Sequence, residues 1–224
     1  MTQQARPQPG PPTDYSPARI RDAVRSVIEA ETLPPIVQAG HPVLRQFAAP
    51  YDGQLNAAEL DGLIARMREV MHAAPGVGLA APQLGIPLQI AVLEDQYEVD
   101  PASAAARSRE PLAFTAVINP KYQPVGNDVD TFYEGCLSVG GYQAVVARYR
   151  SVELNCLTQD GRPFRETYSG WQARIVQHET DHLHGMLYLD RAEIRSLTTN
   201  AEYAARWAQP GIAEAQLALG FRQD

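Results

Sequence analysis

The chain has 224 residues, 45% of them hydrophobic, enough for one domain with a buried core plus tails. A formal net charge of −7 excludes a broad phosphate-neutralising surface, so no direct nucleic-acid footprint is expected. The two cysteines, Cys136 and Cys156, are too few for a disulfide scaffold and suit a reducing compartment or a metal site.

The N-terminal stretch MTQQARPQPGPPTDYSP lacks the apolar run of a secretory signal, and no segment approaches the length of a membrane span. The expectation is a soluble, cytoplasmic protein without membrane contact. Residues 1–16, rich in Pro, Gln and Gly, read as a flexible tail. A helical extension over 17–34 follows, with Ile20, Val24 and Ile28 at helical spacing. PPIVQAGHPVLRQFA reads as an irregular, packed entry to the main domain, set at 35–192.

Asn56 followed three residues later by Glu59 forms a capping-box start, and Leu60, Leu63, Ile64, Met67, Val70 and Met71 share one face, which predicts a helix. PGVGLAAPQLGIP is too rich in Gly and Pro to continue it, and LQIAVLE and FTAVINP read as strands. The residues between them, 96–113, read as a surface insertion. SVELNCLTQDGRPFRETY holds two extended runs around Asp160-Gly161, a hairpin signal. From about Trp171 the period turns helical, and a later helix is expected from Ala192 to Trp207 within a C-terminal helix and tail at 193–224. Strands, a hairpin and separated helices without βαβ alternation point to α+β: small mixed or antiparallel sheets packed around a central helix.

That helix carries QHETDHLHG, Gln177 to Gly185. Residues four apart lie about 40° apart around a helix and one turn along it, so His178 and His182 can aim ring nitrogens at one point. Glu179 beside the first ligand faces the metal's open position, the place for a base acting on water. The alternative is a solvated helix face that happens to carry two histidines.

The third ligand decides among hydrolase classes. One group of zinc proteases continues the motif to a third His, but that position here is Tyr188. Another takes a Glu from a later helix, and Glu202 has a permissible spacing. Cys136, in the glycine-flanked YEGCLSVGG, offers a thiolate instead, and a Cys-His-His site with an open position suits iron as well as zinc. Cys136 could equally be a small buried hydrophobe, which is the reading given to Cys156 in the strand ELNCL.

GVGLAAPQLG at 76–85, EGCLS at 134–138 and QHETDHLHG at 177–185, in that order, resemble the three signature motifs of the peptide deformylases. GHPVLR at 40–45 is also similar, and the resemblance runs from about Pro35 to Asp190. It implies a metal-dependent hydrolase that removes the N-formyl group from the formylmethionine of nascent proteins and releases formate. Its substrates would be N-formylmethionyl peptides, met at a transient ribosome contact. Cys136, His178 and His182 would hold one divalent metal ion per chain, Fe2+ first, with Zn2+, Ni2+ or Co2+ also accepted. Glu179 would be the general acid/base, with the Gln83 side chain and the Leu137 backbone N–H as oxyanion donors. Val77, Leu137, Trp171 and Ile175 would line the methionine pocket, Gly78 would let the peptide approach, and Arg174 would reach peptide carbonyls. Glu134 and Arg148 would pair to hold the cysteine loop. The family usually has Pro after EGCLSV, whereas this chain has Gly140-Gly141, which predicts a looser loop.

Two readings outside that family remain open at this point: a zinc endopeptidase using Glu202, and a metal-bound, catalytically idle binding protein.

Overall fold

The computed structural model describes residues 16–221. The expected tail at 1–16 therefore lies, apart from Ser16, outside the described residues, as do residues 222–224. Helix α1 (Pro17–Ile28) lays Ile20, Val24 and Val27 against α2 (Ala57–Ala73). The predicted capping box opens α2: Asn56 accepts from the Glu59 N–H at 2.9 Å, and the Glu59 carboxylate accepts from the Asn56 N–H at 3.0 Å. The apolar stripe of α2 is buried as its period requires.

The strands form two antiparallel sheets. β1 (Gly78–Ala80), β2 (Ile90–Asp95), β3 (Leu112–Pro124), β6 (Ser151–Leu157) and β7 (Pro163–Ser169) make a five-stranded sheet in the order β1-β2-β3-β6-β7. β6 and β7 are the hairpin predicted around Asp160-Gly161. β4 (Val129–Gly135), β5 (Tyr142–Tyr149) and β8 (Ala192–Thr199) form a three-stranded sheet in the order β4-β5-β8.

The helix expected over Ala192–Trp207 is mostly not there. Ala192–Thr199 is strand β8, paired with β5 through Tyr142↔Thr199 and Val145↔Glu193, and helix begins only at α5 (Asn200–Glu202) with one π-turn to Trp207. Tertiary pairing overrides the local helical spacing there: β5 offers an open edge, and the Ser196 hydroxyl accepts from the Val145 N–H at 2.7 Å where the register shifts. β8 thus joins the sheet of β4 and β5, and a last helix, α6 (Ala213–Leu219), packs on β8.

The insertion at 96–113 holds a short helix, α3 (Pro101–Arg107), and the first residues of β3. Helix α4 (Gly170–Leu183) is the central helix, packed on β1, β2, β3, β6 and β7 of one sheet and on β5 of the other. Its burial on both sides is why hydrophobic and polar residues alike are covered along its length. Gly185, at φ +71°, ends the helical run, and a Cβ there would lie 2.7 Å from the Arg45 backbone carbon, so glycine lets the GHPVLR segment cross the helix end.

Candidate metal centre and its groove

α4 places His178 and His182 one turn apart, with ring centroids 4.9 Å from each other. Cys136 comes from the turn after β4, and its Sγ lies 3.2 Å from His182 Nε2. One ligand atom from each of Cys136, His178 and His182 falls within 4.8 Å of the others. Glu202, the alternative third ligand, is outside this group: it is exposed and pairs with Arg206 at 2.6 Å. Tyr188, at the position of a third protease histidine, is buried with its ring stacked 6.4 Å from that of His178, and its hydroxyl donates to the Tyr142 carbonyl.

The donor chemistry fits a cation. His182 is held well below its ordinary pKa, first by burial and then by the charges of His178 and Arg148, so its ring is neutral, the form that coordinates. Burial also opposes a charge on His178, but hydrogen bonds to Cys136 and Glu134 outweigh it and push His178 up. A ring nitrogen coordinates only without its proton, so an ion held at this position would take the place of the proton on His178.

Behind His178 stands a buried ionic network. Glu134 Oε2 lies 3.0 Å from His178 Nδ1, which leaves Nε2 to face Cys136 and His182. Arg148 grips Glu134 through Nε and Nη2 at 2.6 and 3.0 Å and reaches Asp181 with Nη1 at 2.8 Å. Tyr122 and Arg191 complete the shell around Asp181. Burial by itself raises the Glu134 carboxyl, but Arg148 and Arg174, with hydrogen bonds from His178 and Arg148, hold it well below the usual carboxylate range. The expected Glu134–Arg148 pair is thus not a surface pair but a fully buried one.

Arg174, proposed from the sequence to reach peptide carbonyls, lines the groove and is held from behind. It is 4% exposed, and its donors go to Glu134 Oε1 at 2.5 Å and to the carbonyls of Val146 and Asp130 at 3.0 and 2.6 Å. The sequence reading put it on the groove-facing side of the helix; there it is tied to Glu134 and to backbone carbonyls of the second sheet.

The groove in front of the histidines encloses about 640 Å³ and is lined by Val77, Gly78, Gln83, Cys136, Leu137, Trp171, Ile175, His178 and Glu179. Glu179 is 5% exposed and its Oε2 has no hydrogen-bond partner. Burial pushes its carboxyl up to about 7 against the pull of His178 and Arg148, which suits proton exchange near neutral pH. Gln83 is oriented by its own loop: Oε1 accepts from the Ala80 N–H at 2.8 Å, which turns Nε2 toward Ser138 Oγ at 3.2 Å and Cys136 Sγ at 3.7 Å.

Gly78 lies directly against Glu179. A Cβ there would overlap the Glu179 carboxylate, with the carboxyl carbon 2.5 Å away. The Gly140-Gly141 loop is also more anchored than expected. Gln38 donates to the Leu137 carbonyl at 3.1 Å and accepts from the Gly140 N–H at 3.2 Å, while the Gly141 carbonyl accepts from the Asn200 N–H at 2.9 Å. Nothing in the periodicity of QAGHPV signals that contact, which joins residues 102 positions apart. Tyr97, Arg107 and Arg109 of the insertion and Asn200 and Tyr203 of the C-terminal segment also line the groove and were not read from the sequence.

A sequence model described as polypeptide deformylase matches residues 33–197. Peptide deformylase 3 of Streptomyces avermitilis is 52% identical over 211 residues, covering 94% of this chain and 94% of the relative. A peptide deformylase of Synechococcus elongatus in complex with actinonin superimposes with a TM-score of 0.63 at 35% identity, over 73% of this chain and 83% of that one. A class I type b peptide deformylase of Acinetobacter baumannii with Met-Ala-Ser bound gives a TM-score of 0.62 at 29% identity, over 72% of this chain and 99% of that one.

Proposed function

The chain belongs to the polypeptide deformylase family, and on that premise we propose that it hydrolyses the N-formyl group of N-formylmethionyl peptides with the residues of this groove. The observation that carries the reading is the convergence of Cys136, His178 and His182 beside a buried, unpartnered Glu179 oxygen.

Cys136, His178 and His182 are assigned as the holders of one divalent ion; a thiolate with two imidazoles accepts Fe2+, Zn2+, Ni2+ or Co2+, and Fe2+ is put first on the family resemblance. An ion bound there would supply Lewis-acid polarisation of the formyl carbonyl and a lowered pKa for water. Glu179 accepts a proton from the attacking water and returns it to the leaving amine, giving formate and a free N-terminus. Gln83 Nε2, already turned toward Cys136, and the Leu137 backbone N–H donate to the oxygen that becomes anionic. β1 is an edge strand paired on one side with β2, so its other side accepts the substrate backbone as an added strand. Val77, Leu137, Trp171 and Ile175 surround the methionine side chain.

Glu134, Arg148 and Arg174 are assigned to holding His178 and the cysteine turn in place. The catalytic unit extends through β8 to Thr199, since β8 completes the sheet that carries Cys136. Work at the ribosome in the cytoplasm fits a substrate that exists as a chain begins. No helix of the described residues is long and apolar enough to cross a membrane.

Formate release from formyl-Met-Ala-Ser by protein purified without oxygen tests the reading, against the unformylated peptide as control. Glu179→Ala is expected to keep its metal and fold and to lose several orders of magnitude in turnover. Near-normal turnover by that variant removes Glu179 from the proton path.

A further inference from the structure

The groove has an outer wall built from chain outside the three motifs. Arg107, the last residue of α3, joins its parts. Its guanidinium carbon lies 5.3 Å from the Trp171 ring centroid and 5.7 Å from that of Phe132. Its Nε points to the Pro210 carbonyl at 3.4 Å, and Nη2 points to the Gln209 carbonyl at 3.3 Å and the Tyr203 hydroxyl at 3.5 Å. Among the described residues no carboxylate lies within ion-pair distance of Arg107, in contrast to Arg109, which Asp95 holds through both oxygens at 2.8 and 2.9 Å.

These contacts link three separate pieces of chain around Trp171. Arg107 and Arg109 both approach its ring, the latter at 5.4 Å, and the Ser108 carbonyl between them accepts from the Trp171 N–H at 3.4 Å. On the other side Tyr203 meets Tyr133, a second groove residue, edge to face at 5.2 Å. A planar guanidinium can lie on aromatic faces while its edge donates to carbonyls, which an ammonium cannot do in the same place. Removing it leaves the α3 segment and the Tyr203–Pro210 segment without their shared anchor at the groove.

We propose that Arg107 is a specificity-determining positioning residue, tying the insertion and the C-terminal segment together over Phe132 and Trp171 and so fixing the far wall of the pocket that receives the substrate's first side chain. This rests on the deformylase reading of the groove. Arg107 is remote in role from the proton path: it touches neither Cys136, His178, His182 nor Glu179 in any contact described above. Its loss should therefore act on side-chain binding and leave the chemical step intact.

The test is steady-state kinetics of metal-loaded wild type, Arg107→Ala and Arg107→Gln on formyl-Met-Ala-Ser and formyl-Phe-Ala-Ser, with metal content and circular dichroism alongside. In both variants KM for the methionine peptide is expected to rise about tenfold with kcat within about twofold, and the Met-over-Phe ratio of kcat/KM to fall about tenfold, the scale set by a pocket changed by one or two methylenes. Loss of activity in equal proportion on both peptides, a fall in kcat with loss of metal, or an unchanged KM and ratio would each overturn the proposal. If Arg107→Ala fails to fold, Arg107→Gln, which retains hydrogen-bonding reach without the charge, decides alone. A wild-type protein inactive on both peptides is a failure of the deformylase reading, whereas active wild type with unaltered variants is a failure of the Arg107 assignment only.

Discussion

Gly78 and Glu179 occupy one volume: the space where a side chain at residue 78 would begin is filled by the Glu179 carboxylate. β1 and α4 are packed so closely that neither can retreat without disturbing the sheet edge. Gly78→Ala is therefore expected to displace Glu179, lowering kcat for formyl-Met-Ala-Ser at least tenfold while the metal content stays at wild-type level. A change confined to KM would mean that the added methyl meets the peptide and not Glu179.

The buried carboxylate of Glu134 balances two guanidinium groups, so Glu134→Gln leaves Arg148 and Arg174 underpaired in the interior. Breaking a buried pair in this way costs about 3–5 kcal/mol, which urea unfolding at neutral pH would show as a lowered midpoint. The pH dependence has a definite sign. Because the folded carboxyl is held well below its ordinary 4.5, the unfolded chain takes up a proton first as pH falls. The contribution of Glu134 is thus complete above about pH 4.5 and is lost as pH drops through the lower folded value. Wild type should lose more stability than the variant between neutral pH and the acid range; parallel losses would remove Glu134 as the source.

Cys136 and Cys156 separate by environment. Cys136 faces two histidines from a turn, whereas Cys156 is buried in β6, where burial pushes its thiol up to about 11. Cys136→Ser should reduce bound metal or exchange iron for zinc, measured by plasma emission on protein purified without oxygen, and Cys156→Ser should leave the metal unchanged. A response at Cys156 alone would reverse the assignment.

Gln83→Leu removes a donor aimed beside Cys136, and kcat is expected to fall by roughly a hundredfold with KM nearly unchanged. The same change strips the buried Ala80 N–H of its acceptor, so a stability loss of about 1–3 kcal/mol should accompany it. An effect seen only in KM would make Gln83 a holder of ground-state substrate.

The local chemistry of this protein was readable from residue order. A His pair at helical spacing around a Glu has one geometry on a helix, a capping box has one arrangement of donors, and Asp-Gly between extended runs turns the chain, because each depends on neighbours within a few positions. The resemblance of three short motifs supplied the third ligand, which spacing alone had left divided between Cys136 and Glu202.

What only the tertiary structure decided depends on contacts between distant positions. Ala192–Thr199 became a strand because β5 had an edge to fill, although its own residues could be read as helical. Arg174 is held at the groove because Glu134 and backbone carbonyls of the second sheet meet it there. Gly78 serves Glu179, 101 positions on, and Arg107 meets Pro210 across 103. Periodicity reports which face of an element is apolar, but it does not carry the identity of the partner that comes to cover that face; packing supplies it.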